Sequence, residues 1–79
     1  MRLPRDISGD ALISLLRNFD YHPVRQTGSH VRLTRVFEDH EHHLTIPRHA
    51  SLRLGTLNNI LQDVATHLGI KKEEIIKGK

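Results

Sequence analysis

The sequence predicts a two-layer α+β sandwich in the order α-β-β-β-α, with both helices on one face of a three-stranded antiparallel sheet. Three patterns carry this expectation. Leu12, Leu15, Leu16 and Phe19 recur at i, i+3, i+4 and i+7, and Leu57, Ile60, Leu61, Val64 and Leu68 do so at i, i+3, i+4, i+7 and i+11, which is the spacing of one buried helix face. Between them, Val31 and Leu33 alternate with His30, Arg32 and Thr34, so one face of a strand is apolar and the other polar. No internal repeat, linker or low-complexity run divides the 79 residues, and residues 1–79 are read as a single domain.

Residues 1–7 have no period and are expected to form an arm. Ser8 is a candidate N-cap with Asp10 in the first turn, which opens a helix over about residues 8–19. A strand over Tyr21 to Gln26 contains Pro23, which has no amide to donate to a second neighbour and therefore belongs at a sheet edge. A turn at Thr27 and Gly28 follows, since glycine reaches the positive φ that a tight hairpin requires. It feeds a strand from His30 to Phe37. Glu38, Asp39, His40 and Glu41 read as a polar break, after which Leu44 and Ile46 supply the apolar face of a third strand. Counting back across a four-residue loop sets Leu33 opposite Ile46, Thr34 opposite Thr45, and His30 near His49. Residues 48–54 form a basic loop, Thr56 is a cap candidate for the second helix, and Gly69 is its stop. Lys71 to Ile76 add a turn or two of helix, and the last residues are expected to fray.

Composition narrows the functional classes. A chain of this size buries only about 60–65% of its unfolded surface, so its stability is expected to be modest. The absence of cysteine removes disulfide frameworks and thiolate zinc sites. Neither a secretory leader nor a run of about 20 apolar residues is found, so the expected location is the cytoplasm, with no membrane partner. Twelve Lys and Arg against nine Asp and Glu, a formal charge of +3, favour a polyanionic partner. Seven histidines add charge on mild acidification. With only one tyrosine, two phenylalanines and no tryptophan, the stacking platforms of base-reading RNA modules are missing. Contact with RNA would then run through phosphate and sugar.

Gly28, Ser29 and His30 between two strands, Leu44, Thr45, Ile46, Pro47, Arg48 and His49 at the end of a short apolar strand, and Gly55, Thr56 and Leu57 at a helix start together resemble the HicA (YcfA-like) family of small toxin ribonucleases. The likeness spans about residues 8–70. It implies the double-stranded-RNA-binding-domain-like fold, whose element order is the one read above. It implies also a metal-independent endoribonuclease that cleaves mRNA without a cofactor and is held inactive by a HicB-type antitoxin protein. His30 aligns with the family's catalytic histidine, and Gly28 and Ser29 would shape the turn that presents it. His49 follows Pro47 by two residues, where many relatives also carry histidine, and is a candidate second acid or base; the loop there is shorter than in many relatives.

Cleavage of RNA without a metal needs one group to take the proton of the 2′-hydroxyl, one to protonate the leaving oxygen, and cations to hold the phosphate. Histidine suits either proton transfer near neutrality. Arg25, Arg32, Arg48 and Arg53 are candidate phosphate ligands, with the second helix start at Thr56 offering free amides. The bland reading of each is a solvated side chain. His40, His42 and His43 among acidic neighbours form the run most like a metal site, yet adjacent strand residues point to opposite faces, so no metal site is assigned. A non-catalytic RNA-binding module of the same fold is the alternative function.

Overall fold

The computed structural model describes residues 6–77. Its elements run α1 (Gly9–Arg17), β1 (His22–Thr27), β2 (His30–Phe37), β3 (His40–Pro47), α2 (Leu54–Leu68) and α3 (Lys72–Ile76). The strands form one antiparallel sheet in the order β1-β2-β3, which places the His30 strand at the centre and Pro23 at an edge, as its missing amide requires. Among the described residues no helix is long and apolar enough to cross a membrane.

The alternation in β2 sorts as expected. Val31 and Leu33 are buried with Leu44 and Ile46 of β3, and they pack in one core with Leu12 and Leu16 of α1 and Leu57, Leu61 and Val64 of α2. Both long helices therefore cover the same face, and His30, Arg32 and Thr45 on the other face are exposed. Ser8 caps α1, its hydroxyl accepting from the Ala11 amide at 3.0 Å. Gly69 ends α2 in the left-handed conformation at φ +69°, which only glycine adopts without a Cβ penalty. The short α3 adds Ile75 to the core.

Three expectations need correction, and a fourth lies largely outside the described residues. The β2–β3 register is shifted by two residues: His30 pairs with Pro47, Val31 with Ile46, Arg32 with Thr45, and Leu33 with Leu44. The cause is the connection, because Phe37 pairs with His40 across only Glu38 and Asp39, so two residues of the expected polar break belong to β3. Glu38 makes this tight turn by taking φ +56°. A shift of two keeps side-chain parity, which is why the apolar face was read correctly from the wrong register. Second, Thr56 does not cap α2; the helix starts at Leu54 after an extended Arg53 that makes no side-chain cap bond. Third, α1 ends at Arg17, and Phe19 packs on the core from the turn beyond it. Fourth, the expected arm over 1–7 and the fraying end lie largely outside the described residues, but Ile7 is tied down, its carbonyl accepting from Leu52 N at 2.8 Å.

The periodicities also missed three core or packing positions. Tyr21 and Leu52 are buried although they lie just before β1 and within the basic loop. Gly9 sits so close to the end of β3 that a Cβ there would fall 2.0 Å from the Pro47 carbonyl oxygen. Its amide donates to the His49 carbonyl at 2.9 Å, so the start of α1 is seated directly on residues 47–49.

Candidate active site

The β1–β2 hairpin turns through Gly28 and Ser29, with Thr27 paired to His30. Gly28 has φ +58°, and a positive φ at the first central position is what a two-residue hairpin with the sheet's twist needs. His30 is thus the first residue of the central strand. Its parity directs the side chain to the face opposite the one that α1 and α2 cover.

A shallow depression of about 210 Å³ lies on this face, lined by Arg25, Thr27, His30, Arg32 and Thr45. The register explains the set. Arg25, Arg32 and Thr45 are cross-strand neighbours in one row, and Thr27, His30 and Pro47 in the next; directly paired residues share a face and stand about 5 Å apart. Arg25 falls in that row by regular counting back from the turn through Gln26–Val31 and Thr27–His30, and the bulge between Pro23 and Arg25 lies beyond it, with Val24 as the extra residue. Two guanidinium groups, one imidazole and two hydroxyls therefore converge on a surface open to an extended ligand. This arrangement can bind a phosphodiester between the arginines and exchange a proton at the histidine.

The other expected site residues are distributed differently. His49 lies two positions beyond the partner of His30, in the exposed connection to α2, and is not among the residues lining the depression. Arg53 is exposed in the position preceding α2, and Thr56 is half-buried within the helix's first turn. Arg48 is engaged: its Nε and Nη2 donate to the two carboxylate oxygens of Asp10 at 2.7 and 3.1 Å. The hydrogen bond from Arg48 holds the Asp10 carboxyl below its usual range, and the same contact raises the guanidinium.

The histidine-rich run divides as adjacent strand positions must. His43 faces the open side, where its Nδ1 meets the Thr34 hydroxyl at 2.8 Å and its Nε2 lies 3.2 Å from Glu41. His42 faces the helices. Its Nδ1 is 2.5 Å from the hydroxyl of Tyr21 and its Nε2 is 3.2 Å from Asp63 of α2, and its ring stacks on His67 with centroids 4.2 Å apart. In a neutral ring, one tautomer satisfies both contacts: Tyr21 donates to Nδ1, and Nε2–H donates to Asp63. Burial pushes the Tyr21 phenol up to about 12. Desolvation, followed by the neighbouring His42 and Arg35, lowers the basicity of His67. This cluster is on the far side of the sheet from the depression. Its members are too far apart in sequence for spacing to have suggested it.

Of the lining residues, Thr27 and Thr45 belong to no motif that marks them as site residues, and their signal is positional. Both share the parity of Arg32 once the strands are aligned.

Comparison with known proteins yields a family match. No curated protein and no solved structure matches the chain. The sequence profile described as the HicA toxin of bacterial toxin–antitoxin matches residues 9–65, a span that runs from the start of α1 through most of α2 and contains every residue of the depression. The chain therefore belongs to the HicA toxin family of bacterial toxin–antitoxin systems.

Proposed function

We propose that this protein is the toxin of a type II toxin–antitoxin pair and acts as a metal-independent endoribonuclease on mRNA, with His30 as its catalytic acid and base. The observation that carries the proposal is the position of His30: it stands on the open face beside Arg25 and Arg32, in a chain whose family match covers the whole depression. RNA lies along the sheet with one phosphate between the two arginines. His30 takes the proton from the 2′-hydroxyl as its oxygen bonds to phosphorus, and the bond from phosphorus to the 5′-oxygen breaks. The products are a 2′,3′-cyclic phosphate end and a 5′-hydroxyl end, the leaving oxygen receiving a proton from His30 or from water. Arg25 and Arg32 offset the charge that builds on the phosphoryl oxygens. Gly28 and Ser29 set the turn, and Arg53 and the start of α2 near Thr56 are candidate contacts for flanking phosphates. His49 is retained as a second proton-transfer candidate only if RNA binding draws the 48–53 connection toward His30.

The antitoxin is of HicB type and covers the His30 and Arg32 face with carboxylates, since a domain of formal charge +3 attracts an acidic surface. Co-expression with the adjacent reading frame tests the pairing; a product that neither co-purifies nor relieves growth arrest rejects it.

Cleavage of a long RNA in EDTA tests the activity. His30→Ala should leave the fold intact, because no buried residue is removed, and should cut the rate by about 10²–10⁴. Arg32→Ala should instead weaken binding and reduce its salt dependence. A folded His30→Ala protein that cleaves at the parental rate rejects the catalytic assignment. A parent that retards RNA in a gel yet leaves it intact establishes the non-catalytic binding module in its place.

A further inference from the structure

We infer that Asp10, Arg48 and Gln26 form a positioning network that holds the His30 turn, with Arg48 serving as a tether and not as a phosphate ligand; the inference rests on the catalytic reading of His30. Arg48 is the first residue past β3, and its backbone amide donates to the Ser29 carbonyl at 2.6 Å, which carries the β2–β3 ladder one step beyond the His30–Pro47 pair. Its guanidinium grips the Asp10 carboxylate with two nitrogens. The third nitrogen, Nη1, reaches the side-chain carbonyl of Gln26 at 3.4 Å, and the Gln26 amide donates to the Gly28 carbonyl at 3.2 Å. Arg48 thus bonds directly to Gln26 and Ser29 and reaches Gly28 through Gln26.

The turn needs such support. It sits at the tip of an edge hairpin, past the bulge between Pro23 and Arg25, and exposed hairpin tips open at low free-energy cost. Asp10 belongs to α1, which is anchored by Leu12 and Leu16 in the core and by the seating of Gly9 against residues 47–49. The network therefore transmits the rigidity of the core to the turn. Both charged groups are exposed, but the forked geometry and the three segments it joins distinguish this pair from an ordinary surface contact. Placement matters because a reacting group misplaced by about 1 Å can lose on the order of 100-fold in rate.

Charge separates the two roles of Arg48. If it held phosphate, removing it would weaken RNA binding, and removing the repelling Asp10 would strengthen it. A tether predicts effects of the same sign. Cleavage of a short RNA by the full chain is measured for Asp10→Ala, Arg48→Ala and Arg48→Lys, with RNA affinity measured for the same changes in the His30→Ala background. The network predicts a kcat lowered by about 10- to 100-fold in all three, KM and affinity within about twofold of the parent, and a double variant no worse than either single one. Arg48→Lys fails with the others because an ammonium cannot make the fork. Opposite effects of Asp10→Ala and Arg48→Ala on affinity, or parental kcat in both, overturn the inference. Amide exchange across residues 26–30 is read on the same proteins: faster exchange in both variants supports the tether and unchanged exchange overturns it. If the parent does not cleave RNA, the catalytic reading fails on its own, and exchange alone decides whether the turn is tethered.

Discussion

Two glycine-to-alanine changes, chemically identical, should shift stability in opposite directions. At Gly9 the new Cβ would lie 2.0 Å from the Pro47 carbonyl oxygen, 2.8 Å from Arg48 Cα and 2.9 Å from the Pro47 carbonyl carbon, whereas real Cβ atoms essentially never approach within 3.0 Å. All three obstacles are backbone atoms, so no side chain can rotate away. The start of α1 must retreat by about 1 Å, which overpacking series put at roughly 1–3 kcal/mol. The 2.9 Å bond from Gly9 N to His49 O is stretched or lost with it, adding about 0.5–1.5 kcal/mol. Alanine's better helix propensity returns less than about 1 kcal/mol. The net expectation is a loss of about 2–3 kcal/mol. At roughly 4–8 °C per kcal/mol for a domain of this size, the melting temperature should fall by about 10–20 °C. At Gly55, also helical, no neighbouring atom among the described residues lies within 4 Å of the added Cβ. There the smaller entropy of the unfolded chain should raise stability by roughly 0.4–1 kcal/mol. Thermal and urea melts followed by circular dichroism measure both. A Gly9→Ala protein melting within about 3 °C of the parent would refute the close seating of α1 on residues 47–49.

Three further outcomes are expected. Leu61 is fully buried in the core, and Leu61→Ala should cost about 2–4 kcal/mol in a urea titration; a loss under about 0.5 kcal/mol would contradict the packing of α2. Glu38 holds φ +56° at the β2–β3 turn, so Glu38→Gly should stabilise the protein by about 0.5–1 kcal/mol, and destabilisation would show that the side chain contributes something the turn geometry does not reveal. His67 is less basic in the fold than its ordinary value of 6.5, through desolvation first and then His42. The unfolded state thus binds more protons, and this contribution is present above about pH 6.5 and is lost as the pH falls below it. The effect is modest because His67 is exposed. His67→Gln should flatten the stability profile between about pH 6.5 and 5, and an unchanged slope would assign the acid sensitivity elsewhere.

What the sequence determined by itself is whatever depends on local period. The stripe of Leu57, Ile60, Leu61, Val64 and Leu68 can be buried on one side only by a helix, and the alternation from His30 to Thr34 can be half-covered only by a strand. From parity alone His30 and Arg32 fall on the open face, and a two-residue error in register leaves that assignment intact. Gly28 was legible because glycine marks positive φ. Glu38 was not, because nothing in a glutamate announces that it will adopt a left-handed conformation, and the β2–β3 pairing was misplaced for that reason. The start of α2 was misjudged because Thr56 is a favourable cap in isolation, while Leu52, drawn into the core, lets the helix begin at Leu54. The tertiary structure alone decided the partners of Arg48. Asp10 is 38 residues away in sequence, and a basic residue after Pro47 looks the same whether it faces RNA or a carboxylate. Only the close approach that Gly9 permits between α1 and the end of β3 places the two charges together, since pairing over such a distance is set by how the layers pack and not by any local preference.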